Sequence, residues 1–283
     1  MTFAVQRSED AAVAHAATRA FLVAEPARNN VILTLLHERI RHPEPGHYWW
    51  VTDGDAVQGV AMQSPLTFSS TITVLPAEAV APLVEAIAAD APDLPGVTGD
   101  AASAARFAGC WTEQRGTGAE PVEGQRIYQL EALRPPHGVP GELRCATVAD
   151  LDLVLSWFHG FEADTGSVGP KVFDEVIRRR IASGEIWLWH HDGADVAMVR
   201  ISDTVARNVR VGFVYTPPSV RRRGYAGAAV AAVSAMVLAD RADTCVLYTQ
   251  LSNPTSNGIY RRIGYEAIGE VLAYRFMPAS PSR

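Results

Sequence analysis

A mixed α/β fold in two tandem domains is predicted by three observations. Segments of helical and strand period alternate through both halves in a similar order. A stretch rich in proline and glycine interrupts them near the middle, and the second half alone carries a glycine-punctuated basic turn. The 283 residues suit two domains of ordinary size, and 48% hydrophobic with 20% charged residues supports a normal buried core.

The first half opens with helical material at 9–24 and 30–41, followed by strands at 48–52, 56–63 and 70–74. A helix at 77–90, a short strand at 96–99, a helix at 101–114 and a strand at 126–133 complete it. The segment 133–141, LRPPHGVPG, then holds three prolines and two glycines. Proline lacks an amide donor and fixes its own backbone, so neither helix nor sheet runs through it easily. The expected boundaries are therefore a domain at 1–134, a linker at 135–141 and a domain at 142–283.

Residues 142–147 alternate as a short strand, and Asp150 reads as the N-cap of a helix to Glu162. A second helix is expected at 170–183. Strands follow at 186–190, 194–202 and 209–216, with a turn signal at Asp192-Gly193. After the basic turn a helix runs to Asp240, its apolar stripe formed by Ala226, Val230, Val233 and Val237. A strand at 245–251, a helix at 255–263 and a strand pair within 265–276 close the chain.

The stretch from Val214 to Gly227, VYTPPSVRRRGYAG, joins a strand end to a helix start through a basic turn. The first amides of a helix have no intrahelical acceptor, and the helix dipole adds positive charge there. Gly224 and Gly227 are expected to let an anion approach those amides, with Arg221, Arg222 and Arg223 adding charge, which suits a pyrophosphate. The spacing matches neither the phosphate loop GxxxxGK[ST] nor the dinucleotide fingerprint GxGxxG.

Here the chain resembles the GNAT superfamily of N-acetyltransferases, and within it the FR47-like branch. Arg221-x-x-Gly224-x-Ala226 fits the pattern [QR]-x-x-G-x-[GA]. Residues 253–265, NPTSNGIYRRIGY, look like N-x-x-[AS]-x-x-x-Y-x-x-x-G-[FY]. The resemblance spans 142–276. It implies a mostly antiparallel central sheet flanked by helices in each domain, with acetyl-CoA as acyl donor to an amine acceptor. Amides from Arg222 through Arg223, Gly224, Tyr225 and Ala226 to Gly227 would hold the CoA pyrophosphate. The strand end Val214, Tyr215 and Thr216 would pair with the pantetheine arm, where this strand splays from the next. Asn253 and Asn257 would face the pantetheine or adenine, although Asn253 also reads as a helix cap. Tyr260 matches the family's tyrosine that protonates the departing thiolate, a phenol with an ordinary pKa near 10.

One departure stands out. Many members carry a carboxylate on the strand before the basic turn, whereas 209–215 contains no Asp or Glu. A base then comes from elsewhere, from a water chain, or is not needed for a neutral amine; Glu162 and Asp164, after the first helix, are candidates that read first as solvated loop carboxylates. Direct transfer is implied, because no cysteine is placed to form an acyl-enzyme. A non-catalytic acyl-CoA sensor is the competing reading.

Cys110, Cys145 and Cys245 form no CxxC pair and read as small core residues, so neither disulfides nor a metal site is expected. His190-His191 reads as a surface pair at a strand end, and Trp187 and Trp189 as packing residues. A net charge of −6 argues against nucleic acid as partner. No apolar run is long enough for a membrane span and the N-terminus lacks a signal-peptide pattern, so a cytoplasmic protein is expected, with monomer and homodimer both open. The first half has no glycine pair or arginine after its strand at 70–74, and Glu78 would repel a phosphate. That domain is therefore expected not to bind CoA. Trp49, Trp50 and Trp111 there are core residues or, alternatively, a wall of the acceptor pocket.

Overall fold

A computed structural model describes residues 3–166 and 174–277. The chain divides into two compact units. Unit 1 comprises 1–127 with 249–252 and 268–283, and unit 2 comprises 128–248 with 253–267.

Unit 1 begins with strand β1 (Phe3–Ser8), which the sequence reading left unassigned, then α1 (Ala11–Ala24) and α2 (Asn30–Arg41). Strands β2 (His47–Asp53), β3 (Ala56–Gln63) and β4 (Ser70–Ile72) follow. After a 3-10 turn come α3 (Val80–Asp90), β5 (Gly96–Asp100), α4 (Ala101–Arg115) and the long β6 (Gly118–Leu130). The ladder runs β1-β2-β3-β4-β5, antiparallel except for the parallel β4–β5 pair. Asp10 starts α1 by accepting from the amides of Ala12 and Val13, satisfying donors that the first turn leaves open.

The core of unit 1 gathers Trp49, Val51, Leu83, Ile87, Phe107 and Trp111. Trp49 and Trp111 are thus packing residues, while Trp50 is half-buried. Trp111 stacks on Phe276 with ring centres 4.9 Å apart. This aromatic contact, with the Val271–Arg275 ladder on β5, explains why the C-terminal residues join unit 1.

Unit 2 contains β7 (Glu142–Cys145), α5 (Leu151–Thr165), α6 (Asp174–Ala182), β8 (Ile186–His191), β9 (Ala194–Ile201) and β10 (Asn208–Tyr215). Next come α7 (Tyr225–Asp240), β11 (Thr244–Gln250), α8 (Pro254–Ile263) and the start of β12 (Tyr265–Met277). The order is β11-β10-β9-β8-β7, with β10–β11 parallel and the other pairs antiparallel. Alternating residues serve two apolar layers, as strand geometry requires. Leu188 and Met198 join Val154, Phe158 and Ile177 of α5 and α6. Trp189, Ala197 and Val199 join Val230, Val233 and Val237 of α7.

Several local expectations need correction. Asp150 stands at the N-cap position of α5 but makes no side-chain capping bond there; its carboxylate closes the capping box of the preceding 3-10 turn, Val148–Asp150, which Thr147 begins. The helix expected at 170–183 is observed as α6, and residues 170–173 lie outside the described residues. The expected C-terminal strand pair is the single strand β12. The single boundary at 135–141 gives way to a more interleaved division, because β6 and β12 each begin in one unit and end in the other. The proline-rich segment is docked on unit 2: the Trp189 indole donates to Pro140 O at 3.0 Å, and the Arg134 amide donates to Ile263 O at 2.7 Å. No described helix is long and apolar enough to cross a membrane.

Candidate active site

The site is built where β10 leaves its neighbour β11. Their parallel ladder covers only Asn208–Val211 against Thr244–Leu247. From Gly212 on, β10 pairs with β9 alone, and it does so across a bulge. Gly212 lies opposite Arg200 and Tyr215 opposite Met198, so Phe213 and Val214 share the space of one partner residue. Phe213 adopts φ +48°, the left-handed region that a bulky side chain rarely enters. An extra strand residue leaves backbone groups unpaired and re-aims the side chains beyond it. Val209 and Val211 belong to the α7 layer; after the bulge that layer receives Val214, while Phe213 and Tyr215 turn to α5.

Past Tyr215 the chain enters a 3-10 turn, Pro218–Val220, and four exposed residues, Arg221 to Gly224. Arg222 at φ +64° and Gly224 at φ +86° curl the backbone so that Gly224 becomes the N-cap of α7. The first helical hydrogen bond runs from the Ala228 amide to Gly224 O, leaving the amides of the first turn without helical acceptors. Arg222 and Arg223 extend into solvent with no ion-pair partner among the described residues. The Thr216 hydroxyl is buried without a hydrogen-bond partner. Free amides, two unpaired cations and an orphaned hydroxyl at one strand end fit a phosphate-bearing chain such as CoA.

Arg221 is placed differently from the expectation. Its Nε donates to Thr216 O at 2.8 Å, Nη2 pairs with Asp164, and the guanidinium lies 5.7 Å from the Tyr215 ring centre. It ties the strand end to the end of α5, so Asp164 serves as its counter-ion. Gly227 also departs from the reading as an anion-approach glycine. It is buried and faces α8, where a Cβ would meet Ile259 at an ordinary contact distance of 3.5 Å.

Asn253 caps α8 through Oδ1, which accepts from the Ser256 amide at 3.0 Å. Asn257 is turned inward, in place of the expected cofactor contact. Its Oδ1 accepts from the Tyr128 hydroxyl at 2.8 Å, and its Nδ2 donates to Asn253 O at 2.7 Å. Tyr260 stands one turn further along α8, its ring 8% exposed within the layer that also holds Tyr128, Tyr225 and Val214. The Tyr260 hydroxyl has no hydrogen-bond partner among the described residues. Burial pushes its pKa up to about 12, above the ordinary phenol value assumed from sequence. It therefore keeps its proton throughout the physiological range.

The strand carboxylate is absent from β10, as expected, and Arg210 stands there. His190 contacts Asp195 at 3.0 Å, while Asp195 and Asp150 both hold Arg144, so these groups brace the β7 edge. Trp187 donates to Gly184 O at 3.0 Å and packs beside Trp189. Cys245 is fully buried and its thiol is pushed up to about 11, whereas Cys110 and Cys145 are only half-buried. No cluster among the described residues could hold a metal ion. Two contributors escaped sequence reasoning. Phe213 looked like an ordinary strand residue, and Tyr128 lies 129 positions from the asparagine it contacts.

The corresponding turn of unit 1 is filled. Leu75 is buried after β4, its side chain occupying the space above Gly59, and its amide donates to Ser103 Oγ at 2.9 Å. Asp100 in turn accepts from that hydroxyl at 3.0 Å, while Glu78 is exposed.

Residues 201–275 match the family model described as FR47-like protein, a narrower span than 142–276. Among solved structures, a GCN5-related N-acetyltransferase from Sphaerobacter thermophilus aligns with TM-score 0.65 at 16% identity, covering 96% of this chain and 95% of that one. A GNAT-family acetyltransferase from Colwellia psychrerythraea gives 0.61 at 11% identity, covering 98% and 100%. A tandem GNAT protein from the clavulanic acid biosynthesis pathway gives 0.52 at 12% identity, with 100% of both chains covered. No curated protein matches. The chain thus has the fold of the GNAT acetyltransferases, with an FR47-like segment in its C-terminal half.

Proposed function

We propose that this protein transfers an acetyl group from acetyl-CoA to a primary amine by direct attack. The observation that carries the reading is the end of β10. Its pairing with β11 stops at Val211, and it leads into an exposed basic turn at the N-terminus of α7. Amides from Arg222 to Gly227, with the Arg222 and Arg223 cations, would bind the pyrophosphate, and Val214 to Thr216 would pair with the pantetheine arm. The amine nitrogen attacks the thioester carbonyl, whose developing oxyanion takes a hydrogen bond from the bulge backbone. The C–N bond forms, the C–S bond breaks, the amine proton leaves to solvent, and the departing thiolate takes a proton from solvent while the Tyr260 hydroxyl donates a hydrogen bond to its sulfur. Because the Tyr260 phenol, pushed up to about 12, is a weaker acid than a thiol near 8.5, it stabilises the leaving sulfur as a hydrogen-bond donor and keeps its own proton.

The filled turn of unit 1 supports confining the cofactor to unit 2. The competing reading, an acyl-CoA sensor that transfers nothing, is favoured by the lack of a carboxylate on β10. Calorimetric titration of acetyl-CoA into wild type and Arg222→Glu/Arg223→Glu tests the site, with affinity expected to fall about 10- to 100-fold for lost charge-assisted contacts. Equal affinity in both proteins would move the cofactor elsewhere. Thiol release in a panel of primary amines separates enzyme from sensor.

A further inference from the structure

We infer that Phe213 is a positioning residue: its aromatic anchor on α5 holds the β10 bulge open and so presents the backbone amide that binds the thioester carbonyl. The inference rests on the proposed use of the bulge in acetyl transfer. Its starting point is a contradiction within the strand. Gly212 adopts an ordinary backbone and a Cβ there would meet nothing within 4 Å, whereas the strained left-handed position falls on Phe213. A left-handed phenylalanine persists only when its surroundings over-determine it.

Those surroundings are present. The Phe213 ring lies 4.8 Å from the Phe158 ring and 5.2 Å from the Phe161 ring, both on α5 and both tilted near 47°. The guanidinium carbons of Arg180 and Arg200 lie 5.9 Å from the ring centre. Arg200 is itself held by Glu185 through Nε at 2.9 Å and Nη2 at 2.6 Å, with both side chains 15% exposed. Arg200 is also the residue paired with Gly212, so this brace sits directly beside the bulge. Aromatic and cation–π contacts together favour the ring on the α5 side. A regular strand would send residue 213 to the α7 side, with Val209 and Val211. The anchor therefore selects the bulged register over the regular one, in which the amide would return to the ladder.

Two substitutions at Phe213 separate the ring's anchoring from the backbone's tolerance of φ +48°. Phe213→Ala removes the anchor but keeps a Cβ that resists φ +48°, so the regular register becomes competitive. Phe213→Gly also removes the anchor, yet glycine enters this region without penalty and retains the bulge. A purely structural role for the ring would make glycine the worse of the two, since it adds backbone entropy to the same lost packing.

The test is isotope-edited infrared difference spectroscopy of acetyl-CoA labelled with carbon-13 at its carbonyl, bound to each protein. Thermal unfolding and calorimetric affinity are measured alongside. The expected result is a downward carbonyl shift in wild type, most of it kept in Phe213→Gly and lost in Phe213→Ala, with both variants folded and acetyl-CoA affinity little changed. An equal shift in all three proteins, or a smaller one in glycine than in alanine, would overturn the anchoring role. Binding to wild type with no carbonyl shift would overturn it too, while leaving the cofactor site intact. Failure of wild type to bind acetyl-CoA would instead remove the proposed function, and this inference with it. Should Phe213→Ala not fold, the same comparison is made with Phe158→Leu/Phe161→Leu, which loosens the anchor but keeps the layer apolar.

Discussion

Replacing Tyr260 by phenylalanine should lower activity sharply while leaving stability nearly unchanged. The ring is 8% exposed, lies among Tyr128, Tyr225 and Tyr265, and would keep all of its apolar contacts. Only the hydroxyl is lost, and it has no hydrogen-bond partner among the described residues. The hydroxyl keeps some contact with solvent, so its missing partner costs little and removing it should change stability by no more than about 1 kcal/mol. That keeps Tm within about 2–4 °C of wild type. A hydrogen-bond donor aimed at charge developing in the transition state contributes about 10²- to 10³-fold, so kcat should fall at least about 100-fold. KM for acetyl-CoA should stay within about threefold, because the lost interaction is made mainly in the transition state. Scanning calorimetry and initial rates of thiol release measure the two effects. Unaltered kcat would refute the donor role. A drop in stability above about 1 kcal/mol would show that the hydroxyl serves the fold, and the split predicted here would fail.

Other consequences are equally specific. With its pKa raised to about 12, Tyr260 should impose no descending limb on the pH–rate profile between pH 7 and 10; an ordinary phenol would begin one near 10. Asn257→Ala should destabilise by about 1–3 kcal/mol, as it strands the buried Tyr128 hydroxyl, and a urea melt reads the loss directly. Gly264→Ala should cost about 3 kcal/mol or more, because the residue sits at φ +106° and its Cβ would lie 1.8 Å from Ala132 O. The Asp150 carboxyl is held well below the usual range by Arg144, despite its partial burial, with further help from Thr147. A depressed folded pKa stabilises above the unfolded value near 4 and is lost as pH falls through the folded one. Asp150→Asn should thus lower Tm at pH 7, and the difference should shrink below about pH 4.

Most helices and strands were legible because periodicity and breakers are local. The stripe on α7 and the turn at Asp192-Gly193 express spacings of a few residues, and the observed elements follow them. Strand β1 was not assigned, being a short alternating hexamer whose membership in a sheet depends on pairing with β2, some 45 residues later. β12 was divided in two because nothing local marks a strand that continues from one apolar environment into another.

The sequence by itself determined the place of the exposed basic turn before α7 and of Tyr260 on α8, since helix-end chemistry and motif spacing are written in adjacent residues. Only the tertiary structure decided what neighbouring groups do. Arg221 turned to Thr216 and Asp164, Gly227 became a helix-packing residue, and Asn257 went inward to Tyr128. The same holds for Phe213, whose backbone reverses because rings on α5 and a braced arginine meet it there. A residue type states which contacts it can make. Which contact forms depends on partners that folding brings within a few ångströms from distant parts of the chain.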